Sequence, residues 1–303
     1  MTGAEAGFLL LTSHLGNPDR RVLTTSQLRI LSGRVRIAEK GSGDRDLDVQ
    51  DLVALGYGRE IAAQILRLLD EEQLLRYYLR KGEKNLCYPL TRVTSGYPRR
   101  LRQKLGEETP GCLWYKGDVD LLSQPKVALV GSRDLLECNR HFAREVGRQA
   151  ALQGYVLVSG NARGADQAAQ NACLQAGGKV ISVIADSLEE KTAKENVLYL
   201  SEDGFDCPFT AQRAISRNRI IHALGERTFV AQSALEMGGT WDGTVKNLRH
   251  GWSRVYCLAD GSDAIAQLHQ LGAETISEKE LQNFKALPCG TAGFLDEIWE
   301  EQP

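Results

Sequence analysis

Three short runs set the pattern of the chain: Val127–Val130, Tyr155–Ser159 and Lys179–Ala185 are each apolar at successive positions rather than at alternate ones. A strand buried on both faces reads this way, and such strands belong to parallel sheets with helices on either side. Glu137–Gln153 between the first two carries Phe142, Val146, Ala150 and Leu152 at helical spacing, and Ala165–Ala176 is an alanine-rich helix able to pack closely. Beyond the third run come a polar loop, an apolar segment Val197–Leu200, and a helix over Ala211–Leu224. A strand Thr228–Ala231, a glycine loop Met237–Thr240 and a helix Asp242–Gly251 follow. The pattern ends with strand Val255–Leu258, helix Asp263–Leu271 and strand Glu274–Ile276. The predicted fold is α/β, a doubly wound, mostly parallel Rossmann-like sheet of about six strands, with its loop mouths on one edge.

The pattern differs before residue 85. Gln27–Leu31 and Leu47–Leu55 are short periodic pieces, and Glu60–Leu69 places Ile61, Ile65, Leu68 and Leu69 on one helical face. Leu55-Gly56-Tyr57-Gly58 between them has the form of a SAM-like or helix–hairpin–helix turn, whose amides can receive a phosphate, and equally that of a plain helical connection. Gly41-Ser42-Gly43-Asp44 reads as a flexible loop. The expected organisation is a helical domain over 1–84, a connector over 85–120 punctuated by prolines and glycines, a sheet core over 121–276, and a short tail over 277–303.

Composition narrows the class. The chain has 303 residues, 42% hydrophobic and 25% charged, with formal net charge -2. It lacks the overall basicity of a general nucleic-acid binder. Local charge differs: 92–104 holds Arg92, Arg99, Arg100, Arg102 and Lys104 without an acid, and Arg213, Arg217 and Arg219 form a second cluster. Seven scattered cysteines and five scattered histidines show no metal-ligand spacing, and no stretch reaches the length of a membrane span. A reduced, cytoplasmic setting with no metal and no cofactor is expected.

Candidate chemistry lies where strands meet helices. Gly131-Ser132-Arg133 follows the first strand, and Ser159-Gly160-Asn161-Ala162-Arg163-Gly164 closes the second. Such loops aim backbone N–H groups and a helix dipole at an anion, and arginine adds a fork for phosphate oxygens. Gly238, Gly239 and Thr240 supply a third loop on the same edge. Neither a G-x-G-x-x-G fingerprint nor a Walker lysine is present.

At these loops the sequence resembles the DprA/Smf family of DNA-processing proteins. The resemblance rests on Val130-Gly131-Ser132-Arg133, on Ser159 through Asp166, on Glu195-Asn196, on Arg217-Asn218-Arg219-Ile220-Ile221, and on Gly238-Gly239-Thr240. Tyr97-Pro98-Arg99-Arg100-Leu101 and Leu113–Asp118 match the family's lead-in to the sheet. The resemblance implies a Rossmann-like fold and single-stranded DNA binding, as a homodimer that delivers the strand to the RecA recombinase. Carried over by position, Gly131, Ser132, Arg133, Ser159, Gly160, Arg163, Gly164, Arg217, Arg219, Gly238, Gly239 and Thr240 line a phosphate pocket, with no catalytic residue. Asp166 orders the arginines or complements its helix dipole. Asn218 fixes a loop or is a satisfied buried amide. Asn161 replaces an apolar family position, Gln170 a histidine, and Lys191-Thr192 a Tyr-Pro step. Trp241 and Asp242 are expected to bring a ring and an acid near the pocket, and the short tail is expected to leave no room for the C-terminal winged-helix-like domain of many relatives. Two other readings stand beside this one. In the first, a DprA-like body senses DNA or a nucleotide and restrains a neighbouring toxin or effector, as an antitoxin or in phage defence. In the second, the chain is a phosphoribohydrolase of the related LOG class, whose glutamate is missing at the required spacing, with Glu236 or Asp242 as substitutes.

Overall fold

A computed structural model describes residues 1–37 and 47–289; the Gly41–Asp44 loop and the tail from 290 onward lie outside the described residues. The chain divides into two compact units. The first comprises Met1–Tyr97, Glu107–Tyr115 and Glu202–Cys207, and the second Pro98–Gly106, Lys116–Ser201 and Pro208–Pro303.

The first unit is mainly helical, with α1 (Gly3–Thr12), α2 (Thr25–Ile37), α3 (Val49–Ala54), α4 (Arg59–Asp70) and α5 (Glu72–Lys84), followed by strand β1 (Tyr88–Thr91). Thr2 starts α1 with a reciprocal capping box to Glu5, and Asp48 and Asp51 do the same for α3. Leu11, Leu31, Leu52, Ala62, Ile65 and Leu68 form one apolar cluster. The buried stripe of α4 therefore runs through Ala62, Ile65 and Leu68, and Ile61, expected on that face, is 48% exposed. Tyr78, Trp114 and Phe205 stack as a second cluster, with the Tyr78 hydroxyl donating to Asp206 at 2.6 Å. The turn between α3 and α4 holds Gly56 at positive φ, and Arg34 donates to the Leu55 carbonyl at 3.2 Å. Strand β2 (Cys112–Gly117) pairs antiparallel with β1.

The second unit opens with the basic helix α6 (Arg99–Leu105) and then alternates strand and helix: β3 (Lys126–Val130), α7 (Glu137–Leu152), β4 (Val156–Ser159), α8 (Ala165–Gln175), β5 (Lys179–Ile184) and β6 (Val197–Glu202). Two short helices α9 (Ala211–Ser216) and α10 (Asn218–Leu224) lead to β7 (Arg227–Val230), α11 (Gly238–His250), β8 (Arg254–Leu258), α12 (Asp263–Gln270) and β9 (Glu274–Ile276). The strands lie in the order β6-β5-β4-β3-β7-β8-β9, every pair parallel. Val197–Glu202 is thus a strand, which brings the parallel strands described in this unit to seven. Val127, Ala128, Leu129, Leu157, Val158, Val180 and Ile181 are all fully buried, as strands covered on both faces require.

Two boundaries differ from the sequence reading. The helix expected over Ala211–Leu224 is broken at Arg217, where Arg217 and Asn218 turn inward and bury their polar heads instead of continuing one amphipathic face. Gly238–Thr240 is not a loop but the first turn of α11, so the helix starts four residues earlier than its apolar periodicity shows. No helix among the described residues is long and apolar enough to cross a membrane.

Candidate nucleic-acid interface

β3 and β7 are neighbours, yet the chain leaves β3 toward β4 on one side and reaches β7 only after β6 on the far side. The connections that leave their carboxyl ends run to opposite sides, toward β4 and toward β8, and such a switch point in an open α/β sheet leaves a crevice. A cleft of about 690 Å³ fills it, lined by Gly131–Asp134 after β3, Ala162 and Asp166 from the β4–α8 junction, Arg217 and Asn218, and Gly238–Thr240. A smaller lobe of about 210 Å³ adjoins it over Gly160–Arg163, Ala185 and Asp186. Arg133, Ala162, Phe209, Ala214 and Arg217 line both lobes.

A relay of buried polar groups holds the mouth in shape. Asp166, in the first turn of α8, accepts from the backbone N–H groups of Gly160 and Ala162 at 3.1 Å each. Arg217 Nη2 lies 3.7 Å from Asp166 Oδ2 and donates to the Gly160 carbonyl at 3.1 Å. Arg217 Nη1 donates to Asn218 Oδ1 at 2.6 Å, and Asn218 Nδ2 donates to the Gly239 carbonyl at 2.8 Å. The β4–α8 loop, the α9–α10 break and the start of α11 are thereby tied together. Burial pushes the Asp166 carboxyl up, against the pull of the Arg217 guanidinium and the two amides; burial likewise pushes Arg217 down. Arg217 Nε is buried and has no hydrogen-bond partner among the described residues. Behind the relay, His222 is fully buried with Nδ1 3.3 Å from Thr228 Oγ1 and 3.2 Å from Asn247 Nδ2, and burial lowers its pKa to about 3.

Two glycines permit the close approach. A Cβ on Gly160 would lie about 2 Å from the Arg217 guanidinium. Gly164 has φ +85, and a Cβ there would meet the Arg133 carbonyl oxygen at 2.3 Å, so the second loop sits directly against the first.

Of the residues singled out in the sequence, Gly131, Ser132, Arg133, Asp166, Arg217, Asn218, Gly238, Gly239 and Thr240 line the main cleft, and Gly160 and Arg163 the adjoining lobe. Arg133 and Arg163 are exposed, and neither guanidinium has a hydrogen bond or ion pair among the described residues. The remaining three sit elsewhere. Ser159 is buried, and its hydroxyl accepts from Gln170 at 2.6 Å. Arg219 donates to the carbonyl and hydroxyl of Ser216 at 2.6 Å each. Gly164 faces a groove between α7 and α8. Trp241 and Asp242 line neither lobe: Trp241 is buried and Asp242 points to solvent, so the expected crowding of the pocket does not occur.

The structure also adds apolar residues to the mouth. Phe209 is 55% exposed between the two lobes, and Ile215 and Met237 are exposed beside it. Apolar side chains are ordinarily assigned to the core, so an exposed ring carries no mark in the sequence. The carboxylates lining the main cleft are Asp134 and Asp166; Glu236 lines neither lobe. No group of three His, Cys, Asp or Glu side chains among the described residues is arranged to hold a metal ion.

Residues 89–281 match the family model of DNA recombination-mediator protein A. The DNA processing protein DprA of Streptococcus pneumoniae is 35% identical over 187 residues, which is 56% of this chain and 64% of that protein. For the Bacillus subtilis DprA the identity is 30% over 142 residues, 43% of this chain and 48% of that one. The chain thus matches less than two thirds of the length of either relative. The X-ray structure of the S. pneumoniae protein shares the fold with a TM-score of 0.68 at 27% identity, covering 93% of this chain and 97% of that chain. A Helicobacter pylori DprA structure, described for its single-stranded DNA binding mode, shares the fold at TM-score 0.56 and 24% identity over 66% of this chain.

Proposed function

This chain belongs to the DNA recombination-mediator protein A family, the DprA/Smf proteins, and from that premise we propose that it binds single-stranded DNA at the carboxyl edge of its sheet. One observation carries the reading: the cleft places two exposed arginines, Arg133 and Arg163, beside the buried relay arginine Arg217 and an exposed aromatic ring, Phe209, at a sheet switch point. Guanidinium groups and helix N-termini hold phosphates, while an exposed ring stacks a base without regard to sequence. A duplex hides its bases from such a ring, so single strands are preferred. Ser159 and Arg219 serve this site from behind, by fixing the strand end and the α9–α10 break.

The chain acts by holding DNA, without covalent chemistry. In support, neither Glu236 nor Asp242, the substitutes for a phosphoribohydrolase glutamate, lines the cleft. Family membership supports the finer reading that a homodimer passes the held strand to a RecA-type recombinase.

The test is fluorescence anisotropy with labelled oligothymidine across a salt series. Affinity falls by about 0.7 logarithmic units per phosphate contacted for each tenfold rise in salt, and Arg133→Ala with Arg163→Ala lowers that slope by about 1.4. Equal affinity for duplex and single strand, or a slope unmoved by the double substitution, overturns the assignment.

A further inference from the structure

Outside the mouth, α7 and α8 enclose a groove of about 430 Å³ that no part of the relay uses. One bank carries Arg140 and Arg144 of α7, four residues apart. The other carries Gln167, Asn171 and Gln175 of α8 at the same spacing, and Ala168 and Ala172 line it between them. A step of four residues advances about 6 Å along a helix, so each bank presents polar groups at a regular rise. The groove is wide enough to stay open because alanines line it where longer side chains would fill it.

Its electrostatics favour an anion. No carboxylate lines the groove. Among the described residues, Glu137 is the carboxylate that approaches the two arginines, at 3.4 Å from Arg140 and 3.6 Å from Arg144, and its side chain is 77% exposed. One carboxylate between two guanidinium groups leaves a net positive charge, and exposed pairs of this kind cost little to exchange for another anion. The amide side chains of Gln167, Asn171 and Gln175 make no hydrogen bond to another described residue, so their donors and acceptors face solvent.

Gly164 decides what the groove is for. It lines the groove, and its neighbour Arg163 lines the adjoining lobe of the mouth. The two surfaces are therefore adjacent at the Arg163–Gly164 peptide unit.

We infer that the α7–α8 groove is a second single-stranded DNA track, continuous with the mouth, in which Arg140 and Arg144 hold successive phosphates and Gln167, Asn171 and Gln175 meet base edges. The inference rests on the proposed binding at the mouth. An amide can donate and accept, so this bank tolerates any base.

The experiment compares two oligothymidines on the full chain, one long enough for the mouth alone and one several times longer, across a salt series. Arg140→Ala with Arg144→Ala is expected to leave the short oligonucleotide unchanged and to lower the salt slope of the long one by about 1.4, for two phosphates at about 0.7 each. Gln167→Glu with Asn171→Glu leaves α7 intact and weakens the long oligonucleotide from the opposite bank, so a folding defect in the first variant does not remove the test. Arg148→Ala, on α7 with its guanidinium held by Glu145 at 2.6 Å, is the control and leaves both unchanged. Should the wild-type chain bind neither oligonucleotide, the reading of the mouth falls and the track with it. Short-strand binding that depends on Arg133, with a long-strand slope indifferent to Arg140 and Arg144, overturns the track alone.

Discussion

Arg217 Nη2 stands 3.7 Å from Asp166 Oδ2, with both side chains buried, in a chain whose charges otherwise lie mostly on the surface. Removing one member of a buried ion pair leaves the other uncompensated, a larger effect than the net worth of the pair. Asp166→Asn keeps the shape, and an oxygen able to accept from the N–H groups of Gly160 and Ala162, but removes the charge that compensates Arg217. The expected loss is about 3 kcal/mol, read as a lower urea midpoint at unchanged m.

Gly160→Ala tests the same contact from the loop. Its Cβ would overlap the Arg217 guanidinium, which can move aside only by giving up its hydrogen bonds to Asn218 and to the Gly160 carbonyl. Overpacking of this kind costs about 1–3 kcal/mol. Because Arg217 must move, oligothymidine affinity should fall by more than the stability loss accounts for. Anisotropy on the fully folded variant checks this.

Phe209→Ala separates binding from folding. The ring is 55% exposed, so chemical denaturation should shift by less than about 0.5 kcal/mol. Loss of one stacked base costs about 1–3 kcal/mol of single-strand affinity. Phe209→Trp should restore it, whereas a ring acting only as packing would not be rescued.

His222 sets an acid limit on stability. Its folded pKa is lowered from 6.5 to about 3, so the unfolded chain binds the extra proton first. The stability of the neutral, buried form is fully present above pH 6.5 and is lost as pH falls from 6.5 toward 3, by up to about 1.4 kcal/mol per pH unit. His222→Gln should flatten the slope of unfolding free energy against pH by about one proton in this window, measured by urea titrations at several pH values.

What the sequence by itself determined is the sheet and the glycine-bearing edge. Val127–Val130, Tyr155–Ser159 and Lys179–Ala185 announce buried parallel strands because a strand covered on both faces has no polar alternation, and that property is local. The loops after them were legible for the same reason: a glycine beside a strand end, followed by a helix, creates an anion site from neighbouring residues alone. Tertiary structure decided which of those residues share a cleft. Gly238–Thr240 are tied to it as a helix start by Asn218, distant in sequence, whose Nδ2 donates to the Gly239 carbonyl. Ser159 and Arg219 carry the right chemistry in the right motif, yet Gln170 and Ser216 take up their polar groups. Phe209 shows no periodic signature, since whether a ring faces solvent depends on what the packed sheet leaves uncovered, and although the four-residue spacing puts Arg140 and Arg144 on one helix face, only the packing of α7 on α8 sets the amides of α8 opposite them. Local pattern specifies elements; the partners of each polar group are settled only when elements far apart in the chain meet.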